Sequence, residues 1–150
     1  MKTKLFFALL LIYSLSSFKA DNPIKILFFG DSITQAGIGK TGYITKMAEM
    51  LSSKGLSRKY ELIGAGIGGN KIYDLYLRHE EDVIAKKPNI VVIYIGINDV
   101  WHKTSSRTGT DYDKFEKFYH ALIQRIQRSG SQVVICTPTL IGEKYDATTE

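Results

Sequence analysis

Three glycine-bearing segments hold the groups that could do chemistry: Gly30-Asp31-Ser32, Gly68-Gly69-Asn70 and Gly96-Ile97-Asn98-Asp99. A serine hydroxyl becomes an acyl acceptor when a base takes its proton and hydrogen-bond donors face the oxyanion that forms. Ser32 can supply the hydroxyl and Asn98 a side-chain amide. Gly69 can supply a backbone N–H, which the absence of Cβ leaves open to close approach. A plainer use competes with this one. Asp and Ser favour turns and helix caps, so Asp31-Ser32 could do no more than cap a helix.

The position of the three segments in the chain favours chemistry. Each follows an apolar run that reads as a strand, at residues 24–29, 60–63 and 90–95. The third is a continuous β-branched run, the pattern of a strand buried on both faces. Residues 132–137 form the fourth. Helical spacing appears at 43–54, where Ile44, Met47, Ala48 and Leu51 share a face and Gly55 offers a C-cap. It returns at 72–86, with a break expected near His79 and Pro88 closing the segment. The best helix follows Asp111, a candidate N-cap: Tyr112, Phe115, Tyr119, Leu122 and Ile126 form one stripe, ended by Gly130. Gly37, Gly39 and Gly42 mark a flexible loop after the serine, and a polar loop runs through Ser105, Ser106 and Gly109. The alternation predicts an α/β fold, a three-layer α/β/α sandwich on a parallel sheet. Parallel strands place all their carboxyl ends at one edge, where ligands bind in such sheets. The three segments can therefore converge.

The totals fit one globular domain of 150 residues, with 44% hydrophobic and 23% charged residues arguing against wholesale disorder. Residues 1–20 read as a signal peptide: Lys2 and Lys4 precede a short apolar core at 5–15. Cleavage is expected after Ser16, with Ser14 at the third position back, or after Ala20. The apolar core is too short to span a bilayer comfortably, so export is favoured over a stable membrane anchor. The formal charge of +5 falls to +2 without Lys2, Lys4 and Lys19, or to +3 if Lys19 is retained. With no basic stripe interleaved with aromatics, nucleic acid is a poor partner. Cys136 is the single cysteine, in an apolar run where a buried thiol is expected.

In order, spacing and placement after successive strands, Gly30-Asp31-Ser32-Ile33-Thr34, Gly66-Ile67-Gly68-Gly69-Asn70 and Gly96-Ile97-Asn98-Asp99 resemble the first three blocks of the SGNH (GDSL-type) esterases and lipases. The resemblance implies a flavodoxin-like sandwich with Ser32 as nucleophile. The oxyanion hole would be formed by the Gly69 N–H, the Asn98 amide and the Ser32 N–H. Asp31 and Asp99 match supporting positions. The family's base is a histidine in an Asp-x-x-His block after a fifth strand. The chain stops at Glu150, in what resembles the loop after the fourth. Residues 21–150 thus read as a hydrolase domain missing its last strand and helix. It would be either the N-terminal portion of a longer esterase or a truncated protein of impaired activity. Asp99-Val100-Trp101-His102 matches the block literally but overlaps the third block. His102 reads as a loop residue lining a substrate groove with Trp101. Asp31, Trp101 and His102 are the candidates for substrate contact.

Rival readings are a nucleotide-binding module, from the G-x-G-x-x-G match at Gly64 to Gly69, and a carbohydrate-binding domain stacking sugars on Tyr73, Tyr76, Trp101 and Tyr112. Ser32 lacks the Gly-x-Ser-x-Gly elbow of α/β-hydrolases. His79 and His120 fall in helical segments as ordinary helix residues. The resemblance implies hydrolysis of short acyl esters, carbohydrate O-acetyl groups first among them, without metal or cofactor. Lysophospholipids or thioesters are the alternative within the family.

Overall fold

The computed structural model describes residues 22–138. The expected signal peptide and the chain after Pro138 lie outside the described residues. Four strands, β1 (Ile24–Gly30), β2 (Tyr60–Gly66), β3 (Ile90–Tyr94) and β4 (Gln132–Ile135), form an all-parallel sheet in the order β2-β1-β3-β4. The helices are α1 (Ser32–Gly37), α2 (Tyr43–Ser53), α3 (Ile72–Asp82), α4 (Ile97–Ser105) and α5 (Tyr112–Arg128), with a 3-10 turn at Ile84–Lys86. Helices flank the sheet on both faces, as the strand–helix alternation predicts for an α/β sandwich. The chain leaves β1 toward β2 and returns past it to β3. The gap between the ends of β1 and β3 is thus the switch point, where open α/β sheets bind ligands.

The core lies on the face covered by α3 and α5. Leu27, Phe29, Val91 and Ile93 from the sheet meet Ile72 and Leu75 of α3 and Leu122 and Ile126 of α5, all fully buried. Each such side chain stabilises the fold by about 1.5–3 kcal/mol. On the opposite face α2 lies over β1 and β2, and the Tyr43 ring meets Phe28 edge-on. Val92 and Tyr94 on that face of β3 are only partly buried, and Val134 beside Val92 is 48% exposed. The expectation that β3 is buried on both faces is corrected: among the described residues its second face is only partly covered.

Other differences are local. The glycine-rich stretch after the serine begins as a helix, because the Asp31 carboxylate accepts from the Ile33 N–H (2.9 Å) and its carbonyl from the Gln35 N–H (2.9 Å). The break after α3 falls at Val83, not near His79. Asp111 sits at the N-cap of α5 but makes no side-chain cap bond; its carboxylate faces Lys114 and Lys103. Cys136 is half-buried.

β2 continues through Gly64-Ala65-Gly66, pairing with Phe28, Phe29 and Gly30, beyond its expected end at residue 63. The strand needs glycine there. A Cβ on Gly66 would stand 2.1 Å from the Gln35 N and 2.7 Å from the Asp31 O, backbone atoms that cannot swing aside. Gly66→Ala is expected to destabilise by about 3 kcal/mol, the upper end for overpacking, because all of α1 must shift. Urea unfolding of variant and parent checks this, and a loss under about 1 kcal/mol contradicts it.

Candidate active site

Asp31 is 1% exposed while Ser32, the first residue of α1, faces solvent. The carboxylate therefore does the capping and the hydroxyl takes no part in it, so the capping reading holds for Asp31 alone. Burial pushes the Asp31 carboxyl above the usual range, partly offset by the N–H bond from Ile33.

The loop after β2 comes to meet this serine. The Gly68 N–H donates to Gln35 Oε1 of α1 at 2.8 Å, and a Cβ on Gly68 would lie 3.9 Å from that of Ser32. Gly69 has φ +76, a conformation that suits glycine. Its carbonyl accepts from Lys71 Nζ at 3.0 Å, which fixes the turn. Burial works against the Lys71 ammonium, but Tyr73 and Asp74 outweigh it and raise its pKa. Among the described residues, neither the Ser32 N–H nor the Gly69 N–H donates to another protein group.

From β3 the chain enters α4 at once, so Asn98, Asp99, Trp101 and His102 are helical rather than on a loop. That corrects the reading of His102 as a loop residue. Asn98 is 3% exposed and its Nδ2 donates to the Asn70 carbonyl at 3.0 Å. An amide nitrogen carries two hydrogens, so one remains for a ligand. His102 lies against the glycine turn, its Cε1 3.8 Å from where a Cβ on Gly69 would stand. Trp101 beside it is 55% exposed, the rings 6.0 Å apart.

Asp99 bolts α4 to α3: its buried carboxylate accepts from the Ile72 N–H at 3.1 Å. Burial raises its pKa, against the pull of the Thr110 hydroxyl, the Ile72 N–H and Lys71. A carboxyl whose pKa is raised on folding stabilises the fold fully below its unfolded pKa, and that contribution is lost as pH rises through the folded value. Asp99→Asn removes the titration but keeps an acceptor for Ile72. The stability of variant relative to parent is expected to rise as the pH climbs above about 4, the ordinary range of an Asp carboxyl. Parallel urea-midpoint profiles above that pH contradict this.

The structure thus brings Ser32, Gly69, Asn98 and His102 to one edge of the sheet. Tyr73 and Tyr76 turn away from it: their rings pack on Phe118 of α5, as helix-packing residues do. His79 is buried in α3, its Nδ1–H donating to the Tyr76 carbonyl, and His120 is exposed on α5. The dinucleotide pattern dissolves, since Gly64 and Gly66 belong to β2 and the helix starts only at Ile72. Sequence reasoning missed Gln35, Lys71 and Arg78, polar residues that tie these loops together. The Arg78–Asp82 spacing, i and i+4, and the Lys71–Asp74 spacing, i and i+3, were the signals for two of them.

Residues 28–150 match the GDSL-like Lipase/Acylhydrolase family. An acetylxylan esterase of Geobacillus stearothermophilus is 33% identical over 138 residues, 81% of this chain and 63% of its own length. Among solved structures, the acetyl xylan esterase AlAXEase superposes with a TM-score of 0.80 at 63% identity, covering 85% of this chain and 64% of that one. Axe2, an acetylxylan esterase from G. stearothermophilus, superposes with a TM-score of 0.70 at 29% identity, covering 87% and 67%. Catalytic mutants of Axe2 replace a serine, an aspartate or a histidine with alanine. This chain spans just under two thirds of the first two relatives. With blocks, sheet order and match in agreement, the chain belongs to the GDSL-like lipase/acylhydrolase family.

Proposed function

We propose that the protein is an exported serine esterase that removes acetyl groups from carbohydrate by two-step acyl transfer. What supports this reading is the loop after β2 at the switch point of the sheet: its Gly68 lies beside Ser32, its Asn70 carbonyl holds the Asn98 amide, and Gly69 stands between the two. The Ser32 Oγ attacks the ester carbonyl carbon as its proton passes to a base. The carbonyl oxygen gains charge and takes hydrogen bonds from the Ser32 N–H, the Gly69 N–H and the second Asn98 Nδ2–H. Collapse expels the sugar hydroxyl and leaves an acetyl-serine, which water hydrolyses by the same steps in reverse order.

The resemblance assigns the base to a histidine in an Asp-x-x-His block after a fifth strand, beyond the described residues. Trp101 and His102 border the site on the α4 side and suit contact with the alcohol portion of a substrate. Similarity to acetylxylan esterases favours acetyl among acyl groups and carbohydrate among alcohols. The positive segment and apolar core at the N-terminus support export.

Acetate release from acetylated xylo-oligosaccharides, by the protein as its gene encodes it, tests the reading. Release that exceeds hydrolysis of lysophospholipids and acyl thioesters is expected. Preference for either of those moves the enzyme to another branch of the family, and no turnover of any ester overturns the assignment.

A further inference from the structure

Arg78 of α3 sits behind the site, its side chain 15% exposed, and uses its guanidinium as a junction. Nη2 donates to the carbonyls of Gly30 (2.9 Å) and Ala65 (3.1 Å), at the ends of β1 and β2. Nε donates to Asn70 Oδ1 at 2.8 Å, and Nη1 pairs with Asp82 at 2.6 Å. The group also lies over the Phe29 ring, 4.5 Å from its centre. One rigid fork therefore joins the strand that delivers Ser32, the strand that delivers Gly69, and the side chain of Asn70.

Asn70 passes the constraint on. Its backbone carbonyl is the acceptor of the Asn98 amide. An asparagine amide has two orientations, and only the one with nitrogen toward the oxyanion helps catalysis. The Asn70 carbonyl selects that orientation, because a carbonyl facing Asn98 Oδ1 would place two acceptors together. Arg78 in turn fixes Asn70, since Nε can only donate and so holds Oδ1. Lysine cannot replace this, having a point charge in place of the fork.

We infer that Arg78 is a positioning residue for ester hydrolysis, acting through Asn70 to set the Asn98 amide toward the oxyanion. This rests on the esterase reading above, with Asn98 as a donor.

The test is a kinetic cycle of Arg78→Lys and Asn98→Ala in the protein as its gene encodes it, with acetate release as the readout. Arg78→Lys is expected to lower kcat about 10–100-fold with little change in KM, as small misplacements of catalytic groups do. In the Asn98→Ala background the same change is expected to cost less than about 3-fold, because residues acting as a unit are not additive. A residue that merely holds the fold together costs the same in both backgrounds, and that result overturns the inference. Should Arg78→Lys not fold, Asn70→Ala serves in its place: it removes the Nε acceptor, keeps the backbone carbonyl, and carries the same expected pattern. If Asn98→Ala leaves kcat unchanged, the donor reading fails and the inference falls with it. If Asn98→Ala lowers kcat and the cycle is additive, the inference alone fails.

Discussion

Ser32→Ala is expected to lower ester turnover by about 10⁴–10⁶-fold while leaving stability within about 0.5 kcal/mol of the parent. The two halves follow from one observation. The side chain faces solvent at the first position of α1, and the cap of that helix belongs to Asp31. The hydroxyl makes no hydrogen bond among the described residues, and alanine is a good helix former, so nothing in the fold depends on the oxygen. In the proposed mechanism chemistry depends on it entirely. Without Oγ no acyl-enzyme forms, and what survives is water attack assisted by the remaining donors, which accounts for a residual rate over solution. Steady-state kcat and thermal unfolding on the same preparations check both halves. Turnover within tenfold of the parent rules Ser32 out as nucleophile, whereas lost activity with a lower melting point assigns the serine to structure.

How much of this was legible in the sequence depends on whether the signal was local. The strands, the long α5 and the convergence of the three glycine segments follow from apolar period and parallel topology, and they stand in the structure. Elements held by polar contacts were misread. Residues 32–37 are glycine-flanked and short, and α1 exists because the Asp31 carboxylate and carbonyl take up its first N–H groups. α4 carries Val100 and Trp101 among polar residues and gives no clear apolar stripe. It is fixed instead by Asp99 on the Ile72 N–H and by Asn98 on the Asn70 carbonyl, contacts 27 and 28 residues away in sequence. For Arg78 the spacing to Asp82 signals a helix ion pair but not the role at the strand ends, since Gly30 and Ala65 offer backbone carbonyls 48 and 13 residues back. The run at residues 90–95 misled in the opposite way. Its β-branched residues suit two buried faces, but Val91, Ile93 and Ile95 are buried while Val92 and Tyr94 on the opposite face are only partly covered among the described residues.

Asn98→Ala separates a donor that serves the transition state from a residue that merely joins two helices. Two losses are combined in the substitution. The bond to the Asn70 carbonyl disappears, leaving a backbone acceptor short of a partner, at about 1 kcal/mol of stability. The proposed oxyanion donor disappears too, at about 3–4 kcal/mol in the transition state, which is about 10²–10³-fold in kcat. The substrate carbonyl carries little charge before attack, so KM is expected to stay near the parent value and the loss to fall on kcat. Asn98→Asp sharpens the test by keeping the shape and reversing the polarity. An aspartate at 3% exposure would face the Asn70 carbonyl and the developing oxyanion with oxygens alone. Its kcat is expected to be no better than that of Asn98→Ala despite the closer fit. A residue needed only for packing would give the reverse order, with the isosteric variant the more active. A rise in KM at constant kcat would assign Asn98 to ground-state binding and remove it from the oxyanion hole.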